Sequence, residues 1–194
     1  MTSKTEIRKL MRRRRRGLDA QDRERAAGAV ASVLGGLPVF RAARRIAVFS
    51  ANDGEIDLRR VTGRYTSKCY FLPVIQAPGK LCMGFARLQD KTSFKRNRYG
   101  ILEPDVPVAS LATARELDLV LTPLVAFDRL GGRVGMGGGY YDATFAFLAS
   151  RTCWCEPKLV GVAFSFQEVP RIEREPWDIP LAAIVTDLGA ISVP

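Results

Sequence analysis

Apolar residues near the start of the chain recur at helical spacing. Ile7, Leu10 and Met11 fall at i, i+3 and i+4 in KTEIRKLMRRRRRGL, which predicts a helix with these three on one face, ended by Gly17. Lys4 and Arg8, four apart, share a neighbouring face one turn from each other. Asp19 is placed to cap a second helix, whose RERAAGAVASVL runs on to Gly35 and Gly36. The pattern then changes. RIAVFS (45–50) reads as a buried strand and EIDLRRVTGRY as a short helix. KCYFLPV (68–74) and LCMGFA (81–86) read as strands joined by a turn at QAPGK. ELDLVLTPLVAF (116–127) holds the longest apolar strand candidate, and a glycine-rich loop follows it. YYDATFAFLASR reads as a helix, and KLVGVAFS and AAIVTD as two late strands.

Strands separated by helices predict an α/β fold. We expect three layers, with a mainly parallel twisted sheet covered by helices on both faces, Rossmann-like, in a single domain over residues 1–194. In such a sheet the ligand cleft lies at the carboxyl ends of the strands, here where the glycine loop emerges. Neither an internal repeat nor a low-complexity segment stands out beyond the arginine run 12–16.

Composition narrows the chemistry. The chain has no histidine among its 194 residues. That removes the commonest general base, the usual zinc ligand, and every serine–histidine or cysteine–histidine pair. Chemistry must then use carboxylates, Lys/Arg, tyrosine, a metal or the substrate's own groups. A net charge of +10 fits anionic partners: nucleic acid, an acidic membrane surface or small anions. Cys69, Cys82, Cys153 and Cys155 match no paired zinc spacing and are read as free thiols of a reducing compartment. No apolar run reaches the roughly 18–20 residues of a membrane span, and no apolar signal core follows the basic start. We therefore expect a cytoplasmic protein that does not enter a membrane.

The stretch GGRVGMGGGYYD (131–142) carries the most specific signal. Strand, glycine-rich turn and helix aim free backbone N–H groups at an anion. It is no Walker A loop, because it has no lysine, and no dinucleotide fingerprint, because Tyr140 stands where the third glycine belongs. Two readings remain: a different phosphate loop, or a flexible turn. Arg133, with a fork suited to phosphate oxygens, and Asp142, in the first turn of the next helix, favour the first. Asp142 could favour the helix dipole, or equally hold a Mg2+ that bridges phosphates.

LTPLVAFDRLGGRVGMGGGYYDATF resembles the signature of the 5-formyltetrahydrofolate cyclo-ligases, with Val134 for the family's usual Leu. Other pieces agree in order and spacing: Lys4 and Arg8, Glu55 in NDGEIDL, YGILEP (99–104) and PWDIPLAAIVTD. The resemblance spans nearly the whole chain. It implies conversion of 5-formyltetrahydrofolate to 5,10-methenyltetrahydrofolate with ATP and Mg2+, releasing ADP and phosphate. It assigns Lys4, Arg8 and the loop Arg133, Val134, Gly135, Met136, Gly137, Gly138, Gly139, Tyr140 and Tyr141 to the triphosphate. Arg133 and Tyr140 would serve the reacting groups, and Asp142 with Asp178 would hold Mg2+. Ser50, Glu55, Tyr99, Met136 and Tyr140 would contact the folate, Glu55 as a charge-assisted acceptor for the pterin N–H groups or the formyl-bearing region. Polyglutamylated folate, an anion like ATP, suits the basic surplus. A monomer without a specific nucleic-acid partner is expected.

Two departures stand out. Trp177 sits where the family commonly has His, and Gly138 where some members carry Lys. The arginines Arg12–Arg16 exceed what the reaction needs. They keep open an RNA-binding relative that has lost catalysis. A third reading is an ATP-dependent ligase acting on another carboxyl or formyl compound.

Overall fold

The computed structural model describes residues 3–76, 81–149 and 156–193. The tip of the QAPGK turn, the end of the YYDATFAFLASR segment and both Cys153 and Cys155 lie outside the described residues. The strands are β1 (Arg45–Ala47), β2 (Cys69–Ile75), β3 (Met83–Arg87), β4 (Phe94–Arg96), β5 (Leu102–Pro104), β6 (Leu119–Pro123), β7 (Ala126–Phe127), β8 (Arg133–Val134), β9 (Lys158–Val162), β10 (Ala183–Thr186) and β11 (Gly189–Ser192). The helices are α1 (Lys4–Arg16), α2 (Ala20–Gly36), α3 (Pro38–Ala42), α4 (Arg59–Arg64) and α5 (Tyr140–Phe145).

Seven strands form one sheet in the order β11-β10-β9-β6-β1-β2-β3. The five central strands run parallel, with Ile46 beside Leu119 and Leu121 beside Val160. The edges β3 and β11 are antiparallel. From β1 the chain crosses through α4 to β2 on one side, and later returns to β6 on the other. This reversal makes a topological switch point between β1 and β6, where an open α/β sheet leaves a crevice at its carboxyl ends.

The continuous apolar run in β6 follows from burial on both faces. Leu119 and Leu121 point into one core with Ile46 and Val160, covered by Ala27, Val30 and Leu34 of α2 and Val61 of α4. Val120 points into the other core with Ala47, Leu159 and Ile184, covered by Phe145 of α5, Phe85 and Leu117. The expected three layers are therefore present. The second face, however, is closed by the six-residue α5, by short 3-10 turns and by irregular chain rather than by long helices. The hairpin β4–β5 stands apart from the main sheet. Every residue of β4 is exposed, so no apolar alternation marks it in the sequence.

The N-terminal helices begin and end on local chemistry. Ser3 and Glu6 form a reciprocal capping box on α1, with the Ser3 hydroxyl accepting from the Glu6 N–H at 3.2 Å. Asp19 caps α2 by accepting from the Asp22 N–H at 2.7 Å. One expectation fails. Leu10 is not on the buried face of α1 and is 53% exposed. The covered stripe instead runs Ile7, Met11, Arg15, at i, i+4 and i+8. The first two pack on Val125, Ala126 and Val134 of the small β7–β8 hairpin, with Ile172 beside them.

Replacing Leu121 with Ala should cost about 2–5 kcal/mol of stability, since its side chain is fully buried at the centre of the sheet. Urea unfolding checks this.

Candidate active site

Helix α1 lies against the carboxyl end of the sheet. Its residues at i+4 intervals meet three different segments. Lys4 pairs with Glu175 at 3.2 Å. Arg8 donates through Nε to the Gly135 carbonyl at 2.8 Å. Arg12 reaches Asp53 at 2.7 Å, and Arg16 pairs with the same carboxylate. Twelve residues of helix span roughly 18 Å, so one flank of α1 links the glycine loop to the loop after β1.

The loop after β1 passes through half-buried Ser50 and carries three acids, of which Asp53 and Glu55 face α1. Asp53 has a positive φ of 52°, uncommon for a non-glycine residue but more accessible to Asp and Asn. Burial alone would raise its carboxyl. Hydrogen bonds from Arg12, Arg16 and Arg15 outweigh that and hold it at about 2. Arg15 is only 1% exposed. Its Nε donates to the Asp53 carbonyl at 2.8 Å, its Nη2 to the Asp53 carboxylate at 2.8 Å and its Nη1 to the Leu124 carbonyl, just past β6, at 3.4 Å. Glu55 is nearly enclosed, with its side chain 10% exposed. Its Oε2 accepts from the Asn52 N–H at 3.1 Å, and Oε1 lies 3.8 Å from Arg15 Nη1. Burial pushes its carboxyl up to about 7, against the pull of Arg15.

The glycine loop hangs on a buried acid. Asp128 Oδ1 accepts from the Leu130 and Gly132 N–H groups at 2.9 and 2.8 Å, and Oδ2 accepts from Ile172 N–H at 2.7 Å. A methyl group at Gly132 would come within 2.6 Å of that carboxylate. Past Val134 the backbone from Gly135 to Gly139 is exposed. Gly137 and Gly139 have φ of 97° and 69°, which favours glycine there. The side of Gly135 is open, and a methyl group at Gly137 would touch the Arg8 guanidinium at 3.8 Å. Helix α5 has six residues, so its dipole is small. The exposed loop backbone and Arg8 are the stronger anion features.

Arg133 turns inward. It donates to the Ile179 carbonyl and pairs with Asp142, whose side chain remains 30% exposed. Asp142 Oδ1 also receives the Ile179 N–H at 3.5 Å, which places the 178–179 backbone beside it. Asp178 accepts from the Glu175 N–H at 2.9 Å, in the segment that pairs with Lys4. Among the described residues no group of three or more His, Cys, Asp or Glu could hold a metal ion. Asp142, partly exposed beside the 178–179 backbone, is the carboxylate here that could join a Mg2+, an ion that takes one or two carboxylates and completes its shell from water and phosphate oxygens.

Tyr99 and Tyr140, 41 positions apart, come together with hydroxyls 3.4 Å apart and rings edge to face at 6.1 Å. Arg98 donates to the Tyr140 hydroxyl and lies over the Tyr99 ring at 5.0 Å. The hydrogen bond with Tyr99, and then Arg98, lower the proton affinity of Tyr140. Tyr141 stacks on Phe145 and holds its proton more tightly than a free phenol, chiefly through burial and then through the charge of Glu55. Met136 and Trp177 are exposed.

The structure therefore brings Arg8 to the glycine loop, Tyr99 to Tyr140, Arg133 to Asp142, and Tyr141 into the field of Glu55. Lys4 reaches only the 175–178 segment, and Ser50 makes no contact that distinguishes it. Sequence reasoning missed Arg15, Asp53, Arg98 and Asp128. Asp53 precedes a glycine in a turn, and Asp128 follows an apolar strand, so both left some trace. Arg15 is hidden in a run of five like residues. A groove of about 650 Å³ between α2 and α4 lies away from this site, and its Arg59, Arg60 and Arg64 engage Asp57, Glu24 and Ser32.

A doubly wound sheet with a cationic helix and a glycine-rich loop at its switch point defines an α/β protein with an anion-attracting site. Residues 1–187 match the 5-formyltetrahydrofolate cyclo-ligase family. The chain is 35% identical over 184 residues to the 5-formyltetrahydrofolate cyclo-ligase of Haemophilus influenzae, covering 94% of each protein. It is 34% identical over 181 residues to that of Escherichia coli, covering 91% of this chain and 96% of the relative. The solution structure of Aquifex aeolicus 5,10-methenyltetrahydrofolate synthetase superposes with a TM-score of 0.80 at 29% identity, covering 98% of this chain and 92% of that one. The chain belongs to the 5-formyltetrahydrofolate cyclo-ligase family. Among the described residues no helix is long and apolar enough to cross a membrane.

Two outcomes follow from the buried acids. Asp128→Ala should cost about 3 kcal/mol or more, because three N–H donors lose a charged acceptor; chemical denaturation measures it. The folded protein binds the Glu55 proton more tightly than the unfolded chain, so Glu55 lowers stability as pH rises from 4.5 to about 7. Relative to wild type, Glu55→Gln should gain on the order of 3 kcal/mol between pH 4 and 8, read from paired urea curves.

Proposed function

We propose that the protein converts 5-formyltetrahydrofolate to 5,10-methenyltetrahydrofolate with Mg2+ and ATP. One observation carries the reading: the cationic flank of α1 meets an exposed glycine loop at one end and the loop bearing the buried acid Glu55 at the other. MgATP would supply the γ-phosphoryl group to the formyl oxygen with ADP as the leaving group, after which the substrate's own N10 attacks the formyl carbon, loses its proton and displaces that oxygen as phosphate. The reacting nucleophiles belong to the substrates, so the protein's part is positioning and charge compensation. A chain without histidine suits that task.

In this reading Arg8 and the backbone of Gly135–Gly139 grip phosphate oxygens, and Lys4 joins them by exchanging Glu175 for an anion. Val134 anchors the loop, and Tyr141 braces it through Phe145. Asp142 and Asp178 hold the metal, with Arg133 fixing the Asp142 carboxylate and facing the transferring group. Glu55 accepts N–H groups of the pterin, with Ser50 beside it. Tyr99, Tyr140 and Met136 border the folate where it nears the phosphates. Trp177 lines the approach to Asp178 in place of a histidine. The RNA-binding alternative would need the arginine run free for phosphates; the cyclo-ligase reading is favoured because Arg12, Arg15 and Arg16 engage Asp53 and Arg14 lies over the Phe166 ring at 4.8 Å.

Purified protein with ATP, Mg2+ and 5-formyltetrahydrofolate should yield the near-ultraviolet absorption of the methenyl product. Folded protein that gives no such band would refute the proposal. Asp142→Ala should lower kcat/KM by about 3 kcal/mol in transition-state terms, or roughly 100-fold.

A further inference from the structure

The arginine run is left unexplained by phosphate binding, and its most buried member lies beside the folate-side acid. A buried carboxylate has two ways to fail as a ligand acceptor. Left alone it takes up a proton. Hydrogen-bonded to a guanidinium, its lone pairs are consumed. Glu55 escapes both. Its Oε1 lies 3.8 Å from Arg15 Nη1, close enough for strong attraction but too far for a direct hydrogen bond. Arg15 stays at that distance because its other donors are committed to the Asp53 carbonyl, the Asp53 carboxylate and the Leu124 carbonyl.

We infer that Arg15, held back by Asp53, is the positioning residue for Glu55: it favours the anionic form of that carboxylate while leaving Oε1 open to accept an N–H from the ligand. This rests on the folate reading above. The charged and titratable groups facing Glu55 are Arg15 and Arg12 from α1, Asp53 from its own loop and Tyr141 from α5. Both arginines favour its anion, and Asp53 opposes it. Asp53 thus has two effects on Glu55 of the same sign. It repels the anion directly, and it restrains Arg15 from closing on it. Arg12 and Arg16 satisfy the rest of the Asp53 carboxylate, so the restraint does not depend on Arg15 alone.

The two variants should move Glu55 in opposite directions. Its ionisation can be followed in the free protein by carboxyl 13C NMR, with the resonance assigned by its loss in Glu55→Gln. In Arg15→Gln the midpoint should rise by about one pH unit or more, as expected when a cation some 4 Å away is lost. In Asp53→Asn, where Asn tolerates the left-handed backbone, the midpoint should fall below wild type. At pH 7 both variants should raise the KM for 5-formyltetrahydrofolate several-fold, with the KM for MgATP unchanged. A general loosening of α1 would raise both constants, because Lys4 and Arg8 ride on the same helix. Unmoved midpoints, or a folate KM that stays at the wild-type value while they move, overturn the inference. If Arg15→Gln does not fold, the direction of the Asp53→Asn shift decides it. A wild type with no turnover would count against the folate reading and leave the NMR midpoints to judge the Arg15–Glu55 coupling.

Discussion

Three guanidinium groups converge on one carboxylate, and the geometry of the site hangs on that convergence. Asp53 binds Arg12, Arg15 and Arg16 from successive turns of α1, and it does so from a turn just past β1. Exposed ion pairs contribute little. Here, however, the Asp53 side chain is 6% exposed and Arg15 is buried, so neither group has water as an alternative partner. Removing Asp53 would strip the buried Arg15 of its nearest carboxylate. The clamp also fixes where α1 lies, and through α1 the position of Arg8 against the glycine loop.

Positive charge remains in excess after this pairing. Three arginines share one carboxylate, and Glu55 is not hydrogen-bonded to any of them. Lys4 and Arg8 sit further along the same flank. A crevice with that surplus attracts anions and suits a site that must gather several negative groups. The glycine loop adds donors without adding bulk. Its shape is set from below by Asp128, whose three accepted hydrogen bonds tie the turn before the loop to the 172 segment.

The second wall of the site comes from a hairpin that belongs to neither layer of the sheet. Arg98 and Tyr99 lie in the turn between β4 and β5 and reach Tyr140 at the start of α5. Phenols exposed to solvent gain little from each other. A guanidinium laid over one ring and bonded to the other hydroxyl gives the trio a defined arrangement. The site is thus assembled from five segments: α1, the loop after β1, the β4–β5 turn, the glycine loop with α5, and the 175–179 stretch.

Much of the scaffold was legible in the chain itself. Apolar periodicity located α1, α2 and the buried strands, because burial on one stripe or on both faces leaves a local pattern. Gly17 and Asp19 marked helix ends because caps act over three or four residues. The glycine loop and Asp142 announced themselves for a similar reason, since close backbone approach requires glycine wherever it occurs. The missed features are all long-range. Whether an arginine in a run of five is solvated or buried depends on a carboxylate 38 positions away, and no local pattern records that. The same holds for Leu10, exposed because the β7–β8 hairpin meets α1 one residue further round. Tyr99 and Tyr140 become partners only when the hairpin folds back. Sequence alone determined the first two helices, the buried central strands and the place of the glycine-rich loop, through contacts between near neighbours. The tertiary structure alone decided which charges are paired and which are left for a ligand, because electrostatic partners are chosen by distance in space and by exclusion of water.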